Sequence, residues 1–229
     1  MITHSGDTEQ ALENAAGRGT AVVRVQDAAS LILVDSTSST PRILVGRRAA
    51  THVFMPDVYV FPGGRRDRHD HALPFSGDLN PLVLDKLMTG VPPRMGPARA
   101  RALALAALRE LQEETGICAT GAGGPDLGML RYVARAVTPP GHPRRYDTRF
   151  FLGFYEGGVF DMSHFGDTDE LEDVQWLDIA TIFSLKLAPI TKTVLEDVKD
   201  LMKLHPSLPF GNPVPFYTMR HGRFVQSRL

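Results

Sequence analysis

Residues 109–116 read RELQEETG. They close the run ARARALALAALRELQEETG (98–116), which is rich in Ala, Leu, Arg and Glu and has no interior glycine or proline. Such a run predicts a helix that stops at Gly116, a natural C-terminal residue. On that helix Glu110, Glu113 and Glu114 share one face, with Cβ atoms roughly 5–6 Å apart. Leu105, Leu108 and Leu111 supply apolar contacts on other faces. Three converging carboxylates repel one another, and the helix dipole already makes this end negative. Stability alone therefore does not select them. A divalent cation does, because Mg²⁺ and Mn²⁺ prefer hard oxygen ligands.

Around this helix the chain alternates strand-like and irregular pieces. AVVRV (21–25), ASLILVD (29–35), RILVGRR (42–48) and DVYVFPGGR (57–65) read as strands, the last running into a tight Pro-Gly-Gly loop. Strands are also expected at 127–136, 149–155 and 174–178, and helices near 178–185 and 190–204. Strands and helices mix without strict βαβ alternation, so the fold class is α+β with a mixed sheet. Residues 66–97 look like an insertion, with a charged loop, a short helix over 80–89 and a proline-rich return. Residues 1–19 read as a loose arm with a short helix over 7–16. The tail 206–229 shows no period and reads as a strap or a homodimer contact.

The totals bound the partners. The chain has 229 residues, a hydrophobic fraction of 43% and a net charge of −1. It can bury a real core, and it has no global basic field to attract nucleic acid. One cysteine, Cys118, cannot form an internal disulfide and fits a reducing cytoplasm. No apolar run approaches the roughly 20 residues of a membrane span. The polar N-terminus lacks the plan of a signal peptide. These features fit a soluble, cytoplasmic protein.

The order Arg109-Glu110-Leu111-x-Glu113-Glu114-x-Gly116-Ile117, with the glycine turn VFPGG (60–64) upstream, resembles the core of the Nudix box. The resemblance spans about residues 20–185, within a domain expected over 20–205. It implies an α/β/α sandwich around a mixed sheet and hydrolysis of a nucleoside diphosphate linked to another group. By the same resemblance Glu110, Glu113 and Glu114 are the metal carboxylates for Mg²⁺ or Mn²⁺, with the carbonyl of Gly63 as an extra ligand. Arg109 holds a box carboxylate in place. A general base is expected from DTDELED (167–173), with Glu170 and Glu172 as candidates. One departure stands out: counting back from Arg109, Arg101 occupies the place of the box's first glutamate, so that acid is missing.

The resemblance implies a nucleotide-like small molecule as substrate. FMPDVYVFPGGRRDRHD (54–70) and PPGHPRRYDTRFFLGF (139–154) resemble a coenzyme A diphosphatase subgroup that carries an insertion inside the box. The coenzyme A signature is half-filled. Arg48-Ala49 fits its first pair, whereas Val53 and Asp57 stand where an arginine and a glycine belong. Arg47, Arg48, Arg65, Arg66, Arg144, Arg145 and Arg149 flank the site segments, and guanidinium forks suit phosphate. Of these Arg48, Arg65, Arg145 and Arg149 are the substrate-contact candidates. Asp147 is expected to face the site or pair with an arginine, and Phe61 and Tyr59 are candidates to stack on a base. ADP-ribose, a nucleotide sugar or a dinucleoside polyphosphate are the competing substrates. A non-catalytic ligand-binding Nudix protein is the competing class, and retention of three helix glutamates argues against it.

Overall fold

The computed structural model describes residues 23–50, 56–89, 95–156, 158–220 and 223–229. The arm 1–19, its expected helix over 7–16 and Val53 lie outside the described residues. Strands β1 (Val25–Asp35), β2 (Arg42–Arg48), β3 (Tyr59–Val60), β4 (Gly63–Arg65), β6 (Arg131–Val137), β7 (Arg145–Tyr155), β9 (Leu171–Asp178), β10 (Pro215–Arg220) and β11 (Arg223–Arg228) build one mixed sheet. Its order is β11-β10-β6-β7-β1-β2-β3, with β4 pairing β1 and β9 pairing β2. A small ribbon joins β5 (Cys118–Ala119) to β8 (Phe160–Asp161). The helices are α1 (Pro81–Met88), α2 (Pro97–Thr115) and α3 (Pro189–Leu204).

β1 lies parallel to β7 over its whole length and is buried almost throughout. Alternation sorts its side chains onto two faces. Ala29, Leu31 and Leu33 join Phe151 in the core under α2. Ile32 and Val34 join Phe150, Leu152, Val194 and Val198 under α3. This is the α/β/α arrangement the sequence predicts. Helix α2 is buried nearly all round because α1 covers its outer side, with Leu79, Val83, Leu87 and Met95 in the same core as Leu103 and Leu111. The described residues of 66–97 thus contribute to the core through Leu79, Val83, Leu87 and Met95.

Three expectations change. The pieces 21–25 and 29–35 are read as two strands, but Val25–Asp35 is one strand, because β7 extends to Arg145 and pairs it throughout. The helix expected near 178–185 is a single 3₁₀ turn, Ile182–Ser184. The tail forms the β10–β11 hairpin and joins the sheet beside β6 through Phe216 and Tyr217. Tyr217 is buried and hydrogen-bonds to Asp197 of α3. Alternation of Pro and apolar residues hides this strand in the sequence, since prolines read as loop. Among the described residues no helix is long and apolar enough to cross a membrane.

A buried ion network ties the elements together. The carboxylate of Asp27 accepts from Arg99 (2.7 Å), Arg66 (3.3 Å) and Arg149 (3.4 Å). Asp147 accepts from Arg135 through two nitrogens at 2.8 and 2.7 Å. Burial pushes the Asp27 pKa up, but Arg99, Arg149 and Arg66 outweigh it and hold the group below its usual 3.8. The folded state therefore binds its proton more weakly than the unfolded chain. Asp27 stabilises the fold above 3.8, and that contribution is lost as pH falls through the lowered pKa. We expect Asp27→Asn to cost stability at pH 7 and the gap from the parent to close in acid, as read by urea melts at several pH values. A gap that does not depend on pH would remove the ion network as its cause.

Candidate active site

Three segments meet at one end of α2. The first is the glycine turn between β3 and β4. Gly63 sits against Ala29 and Ser30 of β1, and its N–H donates to Glu114 Oε2 at 2.7 Å. A Cβ on Gly64 would lie 2.5 Å from the Glu110 carboxyl, so any other residue here would push that side chain from its place. The second is the end of α2. Gly116 closes it in the left-handed region (φ 72°), and a side chain there would collide with the carbonyl of His164. The third is the loop before β9. Thr168 Oγ1 donates to the carbonyl of Glu114 at 3.2 Å and accepts from the N–H groups of Glu170 and Leu171. The N–H of Ala49 donates to the Glu170 carbonyl at 3.2 Å.

The result is a cleft of about 300 Å³. Glu110, Glu113, Glu114 and Glu170 line it together with Arg48, Arg65, Arg109, Arg144, Asp67, Tyr146 and the two glycines. Glu114 is 4% exposed. Burial is the main reason its pKa rises to about 8; Glu110 and Glu170 push the same way, while the Gly63 N–H and Arg48 oppose. Burial likewise raises Glu110, against the pull of Arg109. Arg109 Nη1 binds Glu113 at 2.6 Å and Glu110 at 2.9 Å. Burial works against the charge of Arg109, but Asp70 and Glu110 more than offset it.

The sequence assigns no role to Asp70. Its side chain is fully buried, accepts from Arg109 Nε at 2.8 Å and Nη2 at 3.3 Å, and accepts from the N–H of Asp67 at 2.6 Å. A buried acid therefore faces Arg109 from outside α2. Asp70 stands six positions after Gly64, the spacing the box uses for its first acid, and the extra residues come after it. Counting eight positions back from Arg109 stays within α2 and arrives at Arg101. Arg101 instead braces Asp78, with bonds of 2.8 and 2.6 Å.

Other candidates sort by geometry. Glu170 lines the cleft, whereas Glu172 pairs with Arg47 at 2.8 Å. Arg48 and Arg65 line the cleft. On β7 the period of two decides the rest. Tyr146, Thr148 and Phe150 face one side, while Asp147 and Arg149 face the buried network on the other. Arg149 is 1% exposed, so neither it nor Asp147 lies in the cleft. Arg145 donates to the carbonyl of Thr138 and lines a neighbouring recess with Arg24 and Arg144. Phe61 is buried edge-to-face on Phe150, with ring centres 6.5 Å apart, and Tyr59 bonds Asp173. Asp67 and Tyr146 are cleft side chains the sequence passes over, while Arg144, one of the flanking arginines, joins the cleft; strand alternation in RRYDTRFF is the signal that selects Tyr146.

Among the described residues no three acidic, histidine or cysteine side chains form a ready-made metal cage. Arg109 takes the place between Glu110 and Glu113. The donor chemistry still fits a hard cation. Two buried carboxylates with raised pKa values face a polar cleft, and Mg²⁺ commonly completes its shell with water and phosphate. Glu110 and Glu114 would hold it, with Glu113 joining once released from Arg109.

A model of the NUDIX domain matches residues 99–198. That match covers less than half of the chain. A Caenorhabditis elegans protein that bears the name nudix hydrolase 7 is 27% identical over 183 residues, which cover 67% of this chain and 51% of that protein. The chain thus spans about half the length of the curated relative it matches. A NUDIX hydrolase from Alicyclobacillus acidocaldarius of known crystal structure is 26% identical, with a TM-score of 0.56 over 77% of this chain and 91% of that one. The mixed sheet between helices is the Nudix fold.

Proposed function

We propose that this chain hydrolyses the diphosphate bond of a nucleoside diphosphate linked to a second group, with Mg²⁺ or Mn²⁺ at the carboxylates of α2. The observation that carries this is the pair of buried, pKa-raised carboxylates, Glu110 and Glu114, facing a cleft that Arg48, Arg65 and Arg144 also line. Repulsion among the carboxylates on one side and arginines on the other suit a cation bridging to phosphate.

When bound, the cation neutralises phosphate charge and acidifies water. The chain's own groups do the rest. Arg48, Arg65 and Arg144 bind and orient the diphosphate. Glu170 receives the proton of the attacking water. The water oxygen bonds to one phosphorus, the bond from that phosphorus to the bridging oxygen breaks, and the bridging oxygen leaves on the other phosphate. Two phosphate monoesters result. Asp70 and Arg109 hold Glu110 in place throughout.

Coenzyme A or an acyl-coenzyme A is the substrate we favour, on the Arg48-Ala49 pair and the arginines around the cleft. ADP-ribose, a nucleotide sugar or a dinucleoside polyphosphate is the alternative. Mass spectrometry of products from such a panel, with Mg²⁺ or Mn²⁺, tests both levels. Release of adenosine 3′,5′-bisphosphate is the expected result. AMP from ADP-ribose with coenzyme A untouched overturns the substrate, and no turnover of any diphosphate overturns the activity.

A further inference from the structure

The carboxylate cleft continues past Tyr146. Arg48, Gly63, Gly64 and Tyr146 also line a narrow passage of about 110 Å³. Thr148, Phe150 and Ile190 carry that passage into a second hollow of about 390 Å³. The floor is one face of β7, where Tyr146, Thr148 and Phe150 point the same way over about 13 Å of strand. The first turn of α3 forms a wall, and Tyr217 of the tail hairpin lines the far end. Ala136, Val137, Phe150, Ile190 and Tyr217 give the hollow its character, and among the described residues no lysine, arginine, aspartate or glutamate lines it. The other side of the cleft is the opposite. There Arg65, Arg144 and Tyr146 lead into a recess of about 440 Å³ that Arg24 and Arg145 also line. The carboxylates thus stand between a cationic end and an apolar end.

We propose that the group joined to the nucleoside diphosphate is an uncharged, chain-like, largely apolar arm, and that it lies in this trough while the anionic nucleotide half lies toward the arginines. This rests on the hydrolase reading above. A sugar or a second nucleotide would carry many hydroxyls or charge into a hollow whose side-chain polar groups are three threonines, His142 and Tyr217, and a buried polar group without a partner is costly. An alkyl arm loses nothing there, and each methylene taken from water is worth up to about fourfold in affinity.

ADP n-alkyl esters from methyl to dodecyl hold the nucleotide half constant and vary only the arm. With Mg²⁺ we expect kcat/KM to rise two- to fourfold per methylene, the upper figure being full burial of each, then level off once the trough is full. ADP-ribose should fall below the octyl ester. Thr193→Phe, which fills the hollow, should flatten the series; Ile190→Trp serves the same purpose if that variant does not fold by circular dichroism. Calorimetric Kd values in EDTA give the same comparison without hydrolysis. Equal kcat/KM across the alkyl series, or a preference for ADP-ribose, overturns the trough and leaves the hydrolase reading standing. A chain-length preference that the filled variants keep also overturns it. Chain-length-dependent binding without any hydrolysis sinks the hydrolase reading and supports the trough. Neither binding nor hydrolysis overturns both.

Discussion

Glu114→Gln should lower turnover on the order of 10³-fold while leaving the melting temperature of the metal-free protein nearly unchanged. The two halves have one cause. Glu114 is buried and its pKa is raised to about 8, so near pH 7 without metal it is mostly the neutral acid. A carboxamide has the same shape and keeps an oxygen for the Gly63 N–H, now 2.7 Å away. The fold therefore loses little. What is lost is a carboxylate able to ionise when a divalent cation arrives, and an amide oxygen is a poor substitute for a charged hard donor. Kinetics with Mg²⁺ and Mn²⁺ beside a thermal melt in EDTA check this. Near-parental turnover would take Glu114 out of the chemistry, and a large fall in melting temperature would make its role structural. Glu113→Gln differs in kind: Glu113 is half exposed and held only by Arg109, so it should spare the fold by a wider margin.

The parts legible in the sequence are those governed by local periodicity. The helix 98–116 and its stop at Gly116 follow from composition and a left-handed C-cap, and the helix is found at Pro97–Thr115. The shared face of Glu110, Glu113 and Glu114 follows from 3.6 residues per turn. The parts that were not legible depend on partners distant in the chain. Whether Glu170 or Glu172 faces the cleft is set by Thr168 bonding across to the end of α2 and by Arg47 drawing Glu172 away. Arg149 and Asp147 look like ligand contacts as letters, but Asp27, 120 or more residues away, pulls Arg149 into the core. The tail hairpin is invisible locally because β6 provides its pairing edge.

Asp70 is the sharpest case, and Asp70→Asn should be the most damaging single change outside the helix. Its carboxylate is fully enclosed and faces Arg109, whose side chain is 22% exposed. Breaking a buried pair by neutralising one partner typically costs about 3–5 kcal/mol, and here Glu110 and Glu113 alone would be left to face the guanidinium. Chemical denaturation should show a loss of that order. Activity should fall further than stability explains, because Arg109 also fixes Glu110 and Glu113. Asp70→Glu should not restore it, since an extra methylene has no room at a site without exposure. Position 101 provides the control. If the acid belonged there, Arg101→Glu would raise activity. The structure leads to the reverse: Arg101 and Asp78 form a half-exposed pair worth at most about 1 kcal/mol, so Arg101→Glu should cost little stability and gain no activity. A rise in turnover with Arg101→Glu, or a parental Asp70→Asn, would return the first acid of the box to the helix.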